Sequence, residues 1–322
     1  MKSKILSYYR LLRGTNLIFI MLIMYIIRYF LIVPWMRTCN DFPFFSDTLF
    51  HLLVIATVFI AAAGYVINDY FDQVIDGINK SSKQIVGVKI SARVANLLFW
   101  ILSIAGSVIG IFVSFKIGHV NLGSIFIVAS FMVYYYSLKY KRLLLWGNIV
   151  VAFLSALVVL LPWLFEFFAL LSKPEDFITH ISCLAIIRKV TFLFVGFSFV
   201  TTLVREWVKD LEDRVGDEFG GKKTLPVRFG VKKTKLVTNA AIVLFILGLA
   251  IAQWQLIVYN YQYVAYYSMI TVSLPLIYMV TKLIRAQTPD DYHFISSILK
   301  IVMFFGILTL VISYIIIFKF QY

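Results

Sequence analysis

Two sets of residues at four-residue spacing could hold a cation between them. One is Asn68, Asp72 and Asp76, in the stretch Asn68-Asp69-Tyr70-Phe71-Asp72-Gln73-Val74-Ile75-Asp76. The other is Arg205, Lys209, Asp213 and Asp217, in a stretch that also carries Glu206, Asp210 and Glu212. On a helix, residues four apart are neighbours and each step drifts by about 40°. Each set therefore forms a ridge, with Asp69 on the side of Asp72 and Asp76, and Glu206 and Asp210 beside the second ridge. Carboxylates stacked in this way repel one another, and a divalent cation removes the repulsion. Oxygen donors without His or Cys select a hard ion, Mg²⁺ before Zn²⁺. Mg²⁺ favours one or two carboxylates together with phosphate oxygens and water. Two facing aspartate ridges with Lys209 and Arg205 alongside thus point to a diphosphate held through Mg²⁺.

The rest of the chain says where these ridges sit. Of 322 residues, 61% are hydrophobic and only 14% are charged. The charges fall in blocks between apolar runs, which is the pattern of an integral membrane protein. The net charge of +14 does not call for nucleic acid, because Lys and Arg collect on the cytoplasmic side of membrane proteins. A helix needs about 20 apolar residues to cross a bilayer. Nine such spans are expected, near 16–35, 48–67, 95–115, 120–138, 146–169, 189–205, 237–257, 263–281 and 298–318. Apolar runs without polar alternation choose helices over a barrel. The expected fold is all-α, a polytopic membrane helix bundle forming one domain over 1–322.

With the N-terminus inside, 22 of the 30 Lys and Arg residues fall in inside segments. The bias puts the C-terminus outside and both acidic stretches on the inside face, after the second and sixth spans. They take matching positions if the chain is a tandem of similar two-helix units. Charge sorting explains the nearby Lys80, Lys83, Lys89, Arg93, Lys222 and Lys223 but not the aspartates, which contribute little to orientation. Arg28, inside the first span, is expected to snorkel outward. Cys39 and Cys183 are too few for a Cys-rich metal site; they either pair or pack singly, and single packing is preferred. The first apolar run is long enough to remain as a span, with no cleavage site after it.

Taken together, these residues resemble the UbiA superfamily of intramembrane prenyltransferases. That family's first motif, Asn-x-x-x-Asp-x-x-x-Asp, matches Asn68, Asp72 and Asp76. Its second, Asp-x-x-x-Asp with a Lys four residues before, matches Lys209, Asp213 and Asp217. The second stretch, followed by Lys223-Thr224-Leu225-Pro226, looks most like the branch of geranylgeranylglyceryl phosphate geranylgeranyltransferases. Arg13-x-x-Asn16 and Leu138-Lys139…Gly147-Asn148 also resemble family positions. The chain departs after Asp76, where Asn79-Lys80-Ser81-Ser82-Lys83-Gln84 stands in place of a proline-containing basic run, and at Gly14, where the family often has Pro.

The resemblance implies transfer of a prenyl group, of geranylgeranyl size, from a prenyl diphosphate to a lipophilic acceptor in the bilayer. Asn68, Asp72 and Asp76 would hold one Mg²⁺, and Asp213 and Asp217 a second. Asp72, Asp76, Lys209 and Asp213 would form the catalytic set. Lys209, Arg205 and Lys139 would contact phosphate, and Asn16, Asn68 and Asn148 would orient substrate. Tyr65, Tyr70 and Tyr134 to Tyr136 offer aromatic faces for an allylic cation, with packing as the alternative. A hydroxyl acceptor needs a base, for which Glu206 and Asp210 are the candidates. An aromatic acid of quinone synthesis is the alternative acceptor. An ion-coupled transporter is the rival class, but it needs polar groups at mid-membrane, and the last three spans are nearly free of them. The expected location is the plasma membrane with the active site on its cytoplasmic face. No nucleic acid and no obligate protein partner is expected.

Overall fold

A computed structural model of the chain describes residues 2–38, 43–73 and 84–319; of residues 2–4, 176, 178–183 and 319 it describes the backbone alone. Asp76, Asn79, Lys80, Lys83 and Cys39 lie outside the described residues, as does the side chain of Cys183. Among the described residues there is no β-strand, and nine helices are long and apolar enough to cross a membrane. They are Gly14–Thr38, Asp47–Phe71, Ala92–Lys116, Val120–Leu138, Trp146–Leu171, Leu184–Glu212, Val231–Val258, Gln262–Arg285 and Pro289–Phe318, numbered below as the first to ninth spans. Each coincides with an expected apolar run.

The helix carrying the sixth span starts much earlier than the apolar pattern suggests, at Pro174, and runs unbroken to Glu212. Arg188 and Lys189, expected in an outside connection, are within it. Pro174 sits at the helix start, where a missing N–H is harmless, and no proline follows to stop the helix. Two spans contain a π-turn, Arg28–Ile32 and Met269–Ser273. Each lies directly ahead of a proline, Pro34 and Pro275. A proline ring clashes with the carbonyl four residues back, and a widened turn accommodates that clash.

The chain forms two compact units. The first comprises Met1–Arg28, Trp35–Lys141 and Leu157–Phe192; the second comprises Tyr29–Pro34, Arg142–Ala156 and Leu193–Tyr322. In the first unit, the second span packs against the third and fourth. Gly106 and Gly110 make the close approach possible: a Cβ on Gly106 would lie 3.0 Å from the Ala56 carbonyl oxygen, and one on Gly110 would lie 2.2 Å from the Phe126 ring. Small residues four apart are a common way for membrane helices to touch. The second unit has its own core, in which Val204, Val208 and Leu211 of the sixth span meet Ile242, Leu276, Met279, Leu283, Leu299 and Val302.

Arg28 does not snorkel. Its side chain is 1% exposed and donates to Glu166, 0% exposed, at 2.6 Å. It also donates to the Phe45 carbonyl and to Asp47 at 3.1 Å. The other oxygen of Glu166 accepts from the N–H groups of Phe44 and Phe45, at 2.6 and 3.3 Å. A lone base and a lone acid in two apolar runs have paired, because each alone is prohibitively costly to bury.

Candidate active site

In the first unit the second span ends at Phe71, so Asn68 and Asp69 occupy its last turn and Asp72 caps it. Asp72 has φ −89° and ψ 2°, and its N–H donates to the Asn68 carbonyl at 3.0 Å. The four-residue spacing survives the helix end. Lys141 donates to Asp72 Oδ1 at 2.5 Å, and both side chains are largely buried. A single 3-10 turn, Tyr140–Arg142, carries Lys141 inward, while Lys139 remains exposed. Asp69 is held from the opposite end of the neighbouring span. Arg13 caps the start of the first span in a left-handed conformation, φ 51° and ψ 54°, and donates to Asp69 at 3.2 Å. That conformation costs about 1–2 kcal/mol for a residue with a Cβ. The ion pair and the Tyr65 ring, 4.9 Å from the guanidinium, hold it in place. Burial works against the charge on Arg13; Asp69, Tyr65 and Tyr136 together keep the guanidinium above its ordinary value.

The second unit repeats the device. The long helix ends at Glu212, and Asp213 follows with φ −90° and ψ 6°, its N–H donating to the Lys209 carbonyl at 2.8 Å. Asp213 begins a short helix, Arg214–Phe219, and the Asp217 N–H returns to the Asp213 carbonyl at 3.0 Å. The short helix closes with a Schellman turn. The Lys222 N–H donates to the Asp217 carbonyl at 2.9 Å and the Gly221 N–H to the Glu218 carbonyl at 3.1 Å. Gly221 takes φ +67°, which only glycine adopts freely. This turn folds Lys222 back over Asp217, and its ammonium donates to Oδ1 at 2.7 Å. Asp210 is one residue past Lys209, as Asp69 is one past Asn68. Asp210 accepts from the amide of Asn148, at the start of the fifth span, at 3.0 Å. Leu145, three residues before Asn148, is left-handed with φ 63°, as Arg13 is three residues before Asn16.

Most of the expected site residues thus gather within their own units. Asn68 and Asp72 stand with Lys141, and Arg205, Lys209, Asn148, Asp213 and Asp217 lie along the second stretch. Arg205 donates to Glu206 at 3.0 Å, and Lys209 approaches the same carboxylate at 3.9 Å. Asn16 is exposed in the first turn of the first span, and Lys139 is exposed next to the 3-10 turn. The lysine that meets Asp72 is Lys141, two residues on; the basic run at 139–142 was visible in the sequence, but the 3-10 turn that selects its middle member was not. Tyr65 and Tyr134 are taken up by neighbours. Tyr65 faces Arg13, and Tyr134 packs within 6.1 Å of Phe71, Phe99 and Trp100. Glu166 escaped sequence reasoning, although a single acid in the fifth apolar run was a signal for a partner to Arg28.

Among the described residues, no three His, Cys, Asp or Glu side chains converge as a metal site on their own. The donors nevertheless fit a hard cation that takes its other ligands from phosphate and water. All are oxygens, and Asn68 Oδ1 is buried without a hydrogen-bond partner. A lysine ammonium on Asp72 and another on Asp217 bring positive charge to both motifs. Each motif by itself suits phosphate oxygens bound through an oxygen-ligated cation and a lysine, at a helix end.

The fold and this site define a membrane-embedded prenyltransferase. The model of the UbiA prenyltransferase family matches residues 17–308, and the chain belongs to that family. It is a multi-pass membrane protein that catalyses prenyl transfer. It is similar to digeranylgeranylglyceryl phosphate synthase of Methanobrevibacter smithii, with 29% identity over 249 residues, or 77% of this chain and 81% of that one. The enzyme of the same name from Korarchaeum cryptofilum is 29% identical over 252 residues, or 76% of this chain and 79% of that one. Two solved structures share the fold. One, of digeranylgeranylglyceryl phosphate synthase, aligns with a TM-score of 0.61 and 24% identity, covering 98% of this chain and 100% of that one. The other is a UbiA homolog from Archaeoglobus fulgidus bound to DMAPP and Mg²⁺, with a TM-score of 0.54 and 16% identity, covering 95% of this chain and 99% of that one.

Proposed function

We propose that this chain transfers a geranylgeranyl group from its diphosphate to the free hydroxyl of geranylgeranylglyceryl phosphate, forming the second ether of an archaeal-type lipid. The observation that carries the reading is the doubled motif, acidic helix ends each with a lysine on an aspartate, in a chain similar over three quarters of its length to digeranylgeranylglyceryl phosphate synthases. The Archaeoglobus fulgidus homolog bound to DMAPP and Mg²⁺ supports the donor class and the metal. Asn68, Asp72 and Asp76 would hold one Mg²⁺, and Asp213 and Asp217 another. Bound Mg²⁺ supplies charge neutralisation of the leaving diphosphate.

Around it, Lys209 with Arg205 and Lys139 bind diphosphate oxygens, and Lys141 and Lys222 add charge where bond cleavage leaves a polyanion. Asp72, Asp76, Lys209 and Asp213 form the catalytic set, with Asn16, Asn68 and Asn148 orienting substrate. The apolar spans take the prenyl tails and exclude water, which would otherwise capture the allylic cation. The membrane is the plasma membrane, with the site at its cytoplasmic face.

The test uses purified protein in detergent with Mg²⁺ and labelled geranylgeranyl diphosphate. Geranylgeranylglyceryl phosphate and a panel of aromatic acids are offered separately. Label is expected in ether lipid with the glyceryl phosphate acceptor alone. Label only in an aromatic product would move the function to quinone synthesis, and no product with any acceptor would refute the reading.

A further inference from the structure

Resting on the proposed transfer to a hydroxyl, we propose that Asp210 is the base that takes the acceptor's proton. The hydroxyl oxygen forms a bond to C1 of the prenyl chain, the bond from C1 to the diphosphate oxygen breaks, and diphosphate leaves with that electron pair. The hydroxyl proton passes to a base beside the hydroxyl, where a motif carboxylate competes with the departing diphosphate.

The carboxylates of the two motif stretches are not equivalent candidates. Asp69 is paired with Arg13, Asp72 with Lys141 and Asp217 with Lys222. Glu206, the other candidate from the sequence, carries Arg205 at 3.0 Å and Lys209 at 3.9 Å. Glu212 faces His293 at 3.0 Å. A proton placed on any ion-paired carboxylate sacrifices the attraction that holds the pair. The hydrogen-bond partner of Asp210 is the neutral amide of Asn148, which donates to Oδ2. A proton on Asp210 therefore breaks no ion pair. The amide fixes the carboxylate plane and leaves Oδ1 without a hydrogen bond among the described residues. A fixed carboxylate with one oxygen available is the geometry a general base needs.

The repeated architecture sharpens the assignment. Asp69 and Asp210 follow the first residue of their motifs, and each is gripped by the start of the preceding span. One grip is an arginine and the other an asparagine. Holding the helix end would be served as well by a second arginine; an asparagine holds the side chain without forming an ion pair.

The experiment follows three quantities with labelled geranylgeranyl diphosphate, geranylgeranylglyceryl phosphate and Mg²⁺: ether lipid, geranylgeraniol from water capture, and affinity for the prenyl diphosphate. Asp210→Asn keeps the size of the side chain and its contact with Asn148. It is expected to lower ether formation about a hundredfold or more, to leave diphosphate affinity within about twofold, and to raise the share of geranylgeraniol. Asp210→Glu should restore part of the ether formation. Ether formation within threefold of the parent in Asp210→Asn would overturn the proposal. So would an equal loss of ether formation and diphosphate affinity in both variants, which would make Asp210 part of the diphosphate site. Absence of ether product in the unsubstituted protein would instead refute the acceptor reading beneath it.

Discussion

Asp69 and Asp210 occupy the same place in two copies of one device, and the partners given to them differ. Each sits in the last turn of a span, one residue beyond Asn68 or Lys209. Each is reached from the start of the preceding span, Asp69 by the left-handed Arg13 itself and Asp210 by Asn148, three residues after the left-handed Leu145. Three or four residues on, Asp72 and Asp213 have nearly the same backbone angles, −89°, 2° and −90°, 6°. A lysine from farther along the chain then covers a motif aspartate, Lys141 on Asp72 and Lys222 on Asp217. The backbone device is preserved, and the chemistry is divided by its side chains. In the first unit every described carboxylate of the motif is neutralised by a cation, whereas in the second Asp210 is held by a neutral amide. Two similar scaffolds can thus serve one reaction unequally.

The sharpest way to break this comparison is to remove a matching aspartate from each copy. Asp72→Ala and Asp213→Ala should each reduce turnover on the order of 10³-fold with helical content unchanged; a loss confined to one variant would show that the copies are not functionally matched. Arg28 and Glu166 provide an ion pair outside both motifs as a reference. Glu166→Gln should lower unfolding stability by about 3–5 kcal/mol, read as a fall in Tm, while turnover per folded molecule stays the same. The double change Arg28→Met with Glu166→Leu should recover most of that stability, because no charge is left buried alone.

Smaller effects separate the two lysines. Lys141→Met and Lys222→Met should each weaken prenyl diphosphate binding by about tenfold, on the order of 1–2 kcal/mol for a charged contact, read as a rise in KM. A change in only one would assign the diphosphate to that lysine. The smallest expected effect is that of Arg13→Gln. The Arg13 side chain is 40% exposed, so the loss of its ion pair should cost about 1 kcal/mol or less of stability, measurable by denaturant titration of the detergent-solubilised protein. A large loss of turnover in that variant would mean that Asp69 does more than anchor a helix end.

Much of this was legible from the residues alone. Apolar runs of span length located the nine long helices seen among the described residues, because in lipid a segment must satisfy its own backbone hydrogen bonds and has little choice but to be helical. Four-residue spacing placed Asp72 next to Asn68, Asp213 next to Lys209 and Asp217 next to Asp213, because helical periodicity turns sequence spacing into proximity. The same logic failed beyond the helix. It could not single out Lys141, which a 3-10 turn presents to Asp72. It read Arg28 as an outward-reaching cation, because a single side chain seen alone has no partner, and Glu166 is 138 positions away. It weighed Tyr65 as a face for an allylic cation against packing, and Arg13 stands over that ring.

Sequence by itself determined the membrane setting, the helices and the acidic ridges, since hydropathy and periodicity are local properties of the chain. Tertiary structure alone decided which charge meets which. The pairings of Arg13 with Asp69, Lys141 with Asp72, Arg28 with Glu166 and Asn148 with Asp210 join residues far apart in the chain. Each depends on where turns and helix ends deliver a side chain, and no local pattern encodes that.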